Sequence, residues 1–169
     1  MRRYIMSELW DAYDNSFNKL NGITLVRGEP VPDGIYHLVC EIIVRHIDGT
    51  YLLMQRDCRK KHLGGMWELS AGGAVQQGET PLIGALRELR EETGLKVKDI
   101  KELKRIVHDG YHVLFVDYLC VTDCEKDSII LQEGETVDYK WIGRSDLLKM
   151  SENELASKRA IKLIGELGI

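Results

Sequence analysis

A chain of 169 residues, 44% hydrophobic and 30% charged, is long enough for one domain with a substantial core and has the makeup of an ordinary globular protein. A formal net charge of −4 argues against a polymeric nucleic acid partner held by a broad basic field. No apolar stretch approaches membrane-spanning length, and polar and acidic residues follow the first six, so the expectation is a cytoplasmic protein with reduced cysteines, no membrane partner and no secretion signal.

In chain order, Glu8 to Asp14 and Gly22 to Val26 read as short strands around a turn that contains Asn18, Lys19, Asn21 and Gly22, and Pro30 and Pro32 mark a connection. His37 to His46 is a strongly aliphatic run and is expected as a central strand. Asp48-Gly49 is a hairpin turn leading to its partner, Tyr51 to Arg56. Basic residues gather between Arg56 and His62, as a solvated loop or a phosphate attractor. Gly64 to Leu69 reads as a loop entering a short strand before a glycine-rich loop, with Trp67 as a packed aromatic rather than a base-stacking wall. Lys101 to His108 and Tyr111 to Val121 form a second hairpin around Asp109-Gly110, and Val137 to Ile142 a further strand. Asp146 to Met150 is expected as a helical turn. Ser151 with Glu154 three residues on forms a capping box, opening a helix that runs through Leu167 and packs on the sheet. His37, His108 and His112 read as structural histidines. Cys40 reads as a small core residue, and Cys40, Cys58, Cys120 and Cys124 show no paired spacing of the structural-zinc kind.

The most informative stretch lies between Gly73 and Leu95. Thr80 is a cap and Pro81 an N1 residue for a helix that Gly94 ends, and Leu82, Ala85, Leu86 and Leu89 form its apolar stripe. Glu88, Glu91 and Glu92 fall at i, i+3 and i+4, on one helical face. Arg87 stands one turn before Glu91. Carboxylates so close repel one another, and acid near a helix C-terminus is unfavourable. The alternatives are a solvated acidic face with one ion pair, or a site for a hard divalent cation such as magnesium, which takes oxygen ligands and keeps room for water and phosphate.

Gly73, Glu79, Arg87, Glu88, Leu89, Glu91, Glu92, Gly94 and Leu95 match without a gap the pattern of the Nudix hydrolases, nine positions over 23 residues, and the chain resembles that family from about Tyr36 to Leu148. The resemblance implies an α/β fold, the Nudix α/β/α sandwich with a mixed sheet. It divides the chain into an N-terminal extension, 1–35, and a Nudix domain, 36–169. The extension's role stays open between completing the monomer, pairing across a homodimer and forming part of a substrate wall. By the same resemblance Glu88, Glu91 and Glu92 are metal ligands with the Gly73 carbonyl, Arg87 orients Glu91, and Glu79 supports the loop–helix geometry. The implied cofactor is Mg2+, with Mn2+ as an acceptable substitute.

Such a cation would neutralise phosphate oxygens and acidify water, so that water attacks phosphorus. The implied substrate is a small diphosphate-containing molecule, commonly a nucleoside diphosphate linked to a second group. Glu91 is placed among the catalytic residues, and Glu133 and Glu135 are candidates for base or further ligand, with Glu135 favoured. The related isopentenyl diphosphate isomerases are the alternative enzyme class. They place an essential cysteine just after the equivalent of Trp67 and then a metal-binding histidine, and Glu68-Leu-Ser-Ala-Gly-Gly-Ala74 carries neither. A non-catalytic nucleotide-binding module is the other alternative, disfavoured because no motif glutamate is missing.

Overall fold

The computed structural model describes residues 7–169. Two strands, β1 (Leu9–Tyr13) and β2 (Lys19–Val26), form a separate antiparallel hairpin. The expected Asn18–Gly22 turn is displaced. The chain reverses at Asp14 to Asn18 because one Asp14 carboxylate oxygen accepts the N–H groups of Ser16 and Asn18 at 2.8 and 3.0 Å. Lys19 to Gly22 are thereby drawn into β2.

The main sheet has seven strands: β3 (His37–His46), β4 (Tyr51–Arg56), β5 (Trp67–Glu68), β6 (Ser70–Ala74), β7 (Lys101–His108), β8 (Val113–Thr122) and β9 (Thr136–Ile142). The path runs β5-β4-β3-β8-β7, with β6 also on β3 and β9 also on β4. Only β3 and β8 run parallel, so the sheet is mixed. The Asp48-Gly49 hairpin is present but opens at once: β3 and β4 pair only at Arg45 and Tyr51. Beyond that point β3 takes β6 as neighbour and β4 takes β9. This divergence opens the sheet between its two wings.

Helix α1 (Pro81–Thr93) lies on one face. On the other are the short α2 (Arg144–Leu147) and α3 (Arg159–Leu167). Strand β3 is covered on both faces, which explains its continuous aliphatic run. Leu38, Cys40, Ile42 and Val44 join the core under α1, while Ile43 joins Leu147, Leu163 and Ile164 in the core under α2 and α3. Leu89 of α1 is fully buried. Cutting it to Ala is expected to cost about 2–5 kcal/mol. Leu82, assigned to the same stripe by spacing, is instead exposed.

Two further sequence expectations fail because segments distant in sequence intervene. Ser151 and Glu154 do make their reciprocal contact, the Ser151 N–H and hydroxyl donating to Glu154 at 2.9 Å. No helix follows. The Trp67 N–H donates to the Glu154 carbonyl at 2.8 Å and the Ala156 N–H to the Trp67 carbonyl at 2.9 Å, and Leu155 is buried against β5. The helix begins only at Arg159. Gly73 and Ala74, expected to open the glycine-rich loop, instead end strand β6. A Cβ at Gly72 would run into the Cys40 carbonyl, so only glycine permits this approach to β3.

Candidate functional site

The expected caps of α1 form. The Thr80 hydroxyl accepts the Ile83 N–H at 3.3 Å, and Gly94 takes φ 76°, its N–H donating to the Arg90 carbonyl at 2.9 Å. The helix therefore presents Glu88, Glu91 and Glu92 toward the strand that carries Gly72 and Gly73. Together these residues line a cleft of about 420 Å³. A larger hollow, of about 610 Å³, lies along the same helix beside Arg90 and Lys96. It holds Glu91 but neither Glu88 nor Glu92, so the chemistry is centred in the smaller cleft.

Arg87 organises the helix side of the cleft. Its Nε and Nη2 donate to the two oxygens of Glu79 at 2.7 and 2.9 Å, its Nη1 to Glu88 at 2.5 Å, and Nη2 also to the Ala74 carbonyl at 3.1 Å. The contact to Glu91 expected from spacing is present at 3.5 Å, the longest Arg87 makes. Glu79 also accepts the Gln76 N–H at 2.9 Å, which ties the glycine loop to the helix. The hydrogen bonds from Arg87 hold Glu79 below the usual carboxylate range.

Glu88 and Glu92 behave oppositely. Burial pushes both upward, Glu92 to about 8, although Glu88 is bonded to Arg87 and Glu92 accepts the Gly72 N–H at 3.1 Å. Glycine at 73 has a plain purpose, because an added Cβ would lie 2.7 Å from the Glu88 carboxyl carbon. Glu91 remains about half exposed, its side chain at 46%.

Glu135 reaches the same cleft from the loop before β9; Glu133 is not among the described residues lining it. Lys60 is ion-paired with Glu135, and the Asp57 N–H donates to the Glu135 carbonyl at 2.9 Å. The basic run thus contributes one cation to the edge of the site, while Arg56 is paired with Glu68 and Arg59 with Asp57. Trp67 is partly buried against the core under α2 and α3, with Lys140 over its ring at 4.2 Å. His37, His108 and His112 all make ring contacts, His37 being stacked on Trp10 at 4.2 Å. Among the described residues, no three acidic, histidine or cysteine side chains converge closely enough to form a ready-made metal cage.

Sequence reasoning left a substrate wall open as one role of the N-terminal extension but named none of the residues that face the glutamates. Glu8, Trp10 and Arg27 come from the N-terminal hairpin, and Gln76 and Gln132 from flanking loops. The one available signal was the two-residue spacing of Glu8, just before β1, and Trp10 within it.

A mixed sheet between helices, with an acidic helix face held by an arginine against a glycine strand, defines a class of small α/β/α sandwich enzymes. The chain belongs to the Nudix hydrolase superfamily: the family model described as NUDIX domain matches residues 36–163. It is 30% identical over 141 residues to an uncharacterized Nudix hydrolase of Listeria monocytogenes, which covers 83% of this chain and 82% of the relative. It is also 28% identical over 130 residues to an isopentenyl-diphosphate Delta-isomerase of Photobacterium profundum, covering 68% of this chain and 69% of that protein. A solved structure from Deinococcus radiodurans has a TM-score of 0.74 at 19% identity, covering 92% of this chain and 97% of that one.

Proposed function

We propose that this chain hydrolyses a diphosphate linkage in a small molecule, with a divalent cation held by Glu88, Glu91 and Glu92. The observation that carries the reading is the placement of these three carboxylates in one cleft with Gly73 and Glu135. Their hard oxygen donors would suit magnesium, with manganese as a substitute, since magnesium is commonly held by one or two carboxylates together with water and substrate phosphate rather than by an all-protein cage. The cation supplies charge neutralisation of the phosphate oxygens and activation of water.

The protein's own residues divide the remaining work. Arg87 fixes the Glu79 and Glu88 carboxylates, so the helix and the glycine strand keep their spacing. Glu135 takes the proton of the attacking water, and its contact with Lys60 fixes the carboxylate at the edge of the cleft. The water oxygen forms a bond to phosphorus, the bridging P–O bond breaks, and its electron pair leaves with the second phosphorylated product.

The isomerase reading lacks its essential cysteine. Among the described residues lining the cleft there is no cysteine; Cys40 is buried in the core and its thiol is pushed up to about 12 by burial. A magnesium-dependent screen of nucleoside diphosphate sugars, dinucleoside polyphosphates, nucleoside triphosphates and isopentenyl diphosphate, with both products identified, tests the proposal. Two phosphorylated products from one substrate support it. Isomerisation without cleavage of any diphosphate refutes it.

A further inference from the structure

The cleft has a negative wall and must admit an anion. Of its two cations among the described lining residues, Arg87 is committed to Glu79 and Glu88, with only 19% of its side chain exposed. The other is Arg27, at the end of β2, with 68% of its side chain exposed. Among the described residues its one side-chain bond is from Nη1 to Glu8 at 2.9 Å. Its Nε and Nη2 make no hydrogen bond among the described residues, and a guanidinium fork of this kind matches phosphate oxygens.

Arg27 is also held in place. Its backbone N–H donates to the Glu8 carbonyl at 2.9 Å, and the Glu8 carboxylate accepts the Trp10 indole N–H at 2.6 Å. Trp10 stacks on His37, which begins β3, the strand that pairs with β6 through Cys40 and Gly73. The Gln77 N–H donates to the Leu9 carbonyl at 2.8 Å and the Gly78 N–H to Asp11 at 2.9 Å, so the hairpin is tied to the glycine loop itself. A cation on this hairpin therefore keeps a fixed relation to the glutamates across the cleft.

We infer that the N-terminal hairpin is a substrate-binding element, in which Arg27, positioned by Glu8 and Trp10, grips the phosphate of the diphosphate that is not attacked. The inference rests on the diphosphate reading and assigns a specificity residue within it. Such a grip anchors the far end of the substrate and leaves the phosphorus near the glutamates in line with water.

The test is calorimetric binding of methylenediphosphonate, a diphosphate that water cannot cleave at its bridge, to the full chain with magnesium. Arg27→Gln is expected to weaken binding about tenfold with the melting temperature unchanged, and to raise KM more than it lowers kcat. Arg27→Lys should recover part of the loss. Lys162→Gln, which removes the same charge on α3 across the sheet, should bind as the parent does. Equal binding by Arg27→Gln and the parent would overturn the inference and leave the hydrolase standing. So would a parent protein that hydrolyses diphosphates without binding the probe. A parent that neither binds the probe nor cleaves any diphosphate would remove the functional reading, and the inference with it.

Discussion

Arg87 grips Glu79 with two parallel hydrogen bonds, Nε to one oxygen at 2.7 Å and Nη2 to the other at 2.9 Å. The pair is eight residues apart in sequence, largely shielded from solvent, and joins the glycine loop to the middle of α1. A lysine offers a single point of charge and cannot reproduce the fork while also holding Glu88. Arg87→Lys is therefore expected to cost about 2 kcal/mol, seen as a melting temperature lower by about 4–8 °C, together with loss of turnover. An unchanged melting temperature would show that the fork does not support the fold.

Glu91 should separate stability from activity. It is the most exposed of the three helix glutamates, and its only contact to Arg87 is long. Glu91→Gln should leave stability within about 0.5 kcal/mol of the parent, as is usual for an exposed position. Turnover is expected to fall about a hundredfold or more, because a charge facing the reacting phosphate is gone. Equilibrium unfolding and steady-state rates check the two halves independently.

The late loop offers two candidates, and the cleft takes one. Glu135 lines it and Glu133 does not among the described residues. Glu135→Gln is expected to slow the single-turnover chemical step by about 10²–10⁴-fold, the range for a general base. Glu133→Gln should leave that step near the parent rate. The reverse order would transfer the role to Glu133, and two unchanged rates would exclude both.

Much of this arrangement was legible because its signals are local. Thr80, Pro81 and Gly94 specify the ends of α1 without help from the rest of the chain. The double burial of β3 writes itself into a ten-residue aliphatic run. The parts that were not legible depend on distant partners. Ser151 and Glu154 form their capping contact, yet the backbone beyond is captured by Trp67, some ninety residues earlier, and no propensity rule sees that competition. Gly73 and Ala74 read as loop because glycine weakens strands, and belong to β6 because Gly72 beside them can approach the Cys40 carbonyl. Arg27 lies outside the 23-residue motif, in a hairpin whose docking on the glycine loop is tertiary.

His37 supplies a pH test of that docking. Its ring is stacked on Trp10, and burial pushes its pKa down to about 4 from an ordinary value of 6.5. A histidine depressed in the folded state contributes stability that is fully present above pH 6.5 and is lost as pH falls through 4, because the unfolded chain gains a proton that the folded one refuses. The melting temperature should decline across this window. His37→Phe, which keeps an aromatic ring for Trp10 and removes the proton, should flatten that part of the profile. An equally steep profile in the variant would place the acid sensitivity elsewhere.

The central claim is that water attacks phosphorus in a cation-dependent cleavage of a diphosphate. The most direct measurement is mass spectrometry of both products formed in oxygen-18 water with magnesium, using the best substrate from the screen, with a parallel reaction after exhaustive chelation. The account expects one labelled oxygen in one phosphate product and no reaction after chelation. Label in a new C–O bond of a released alcohol, or cleavage that survives chelation, would contradict it.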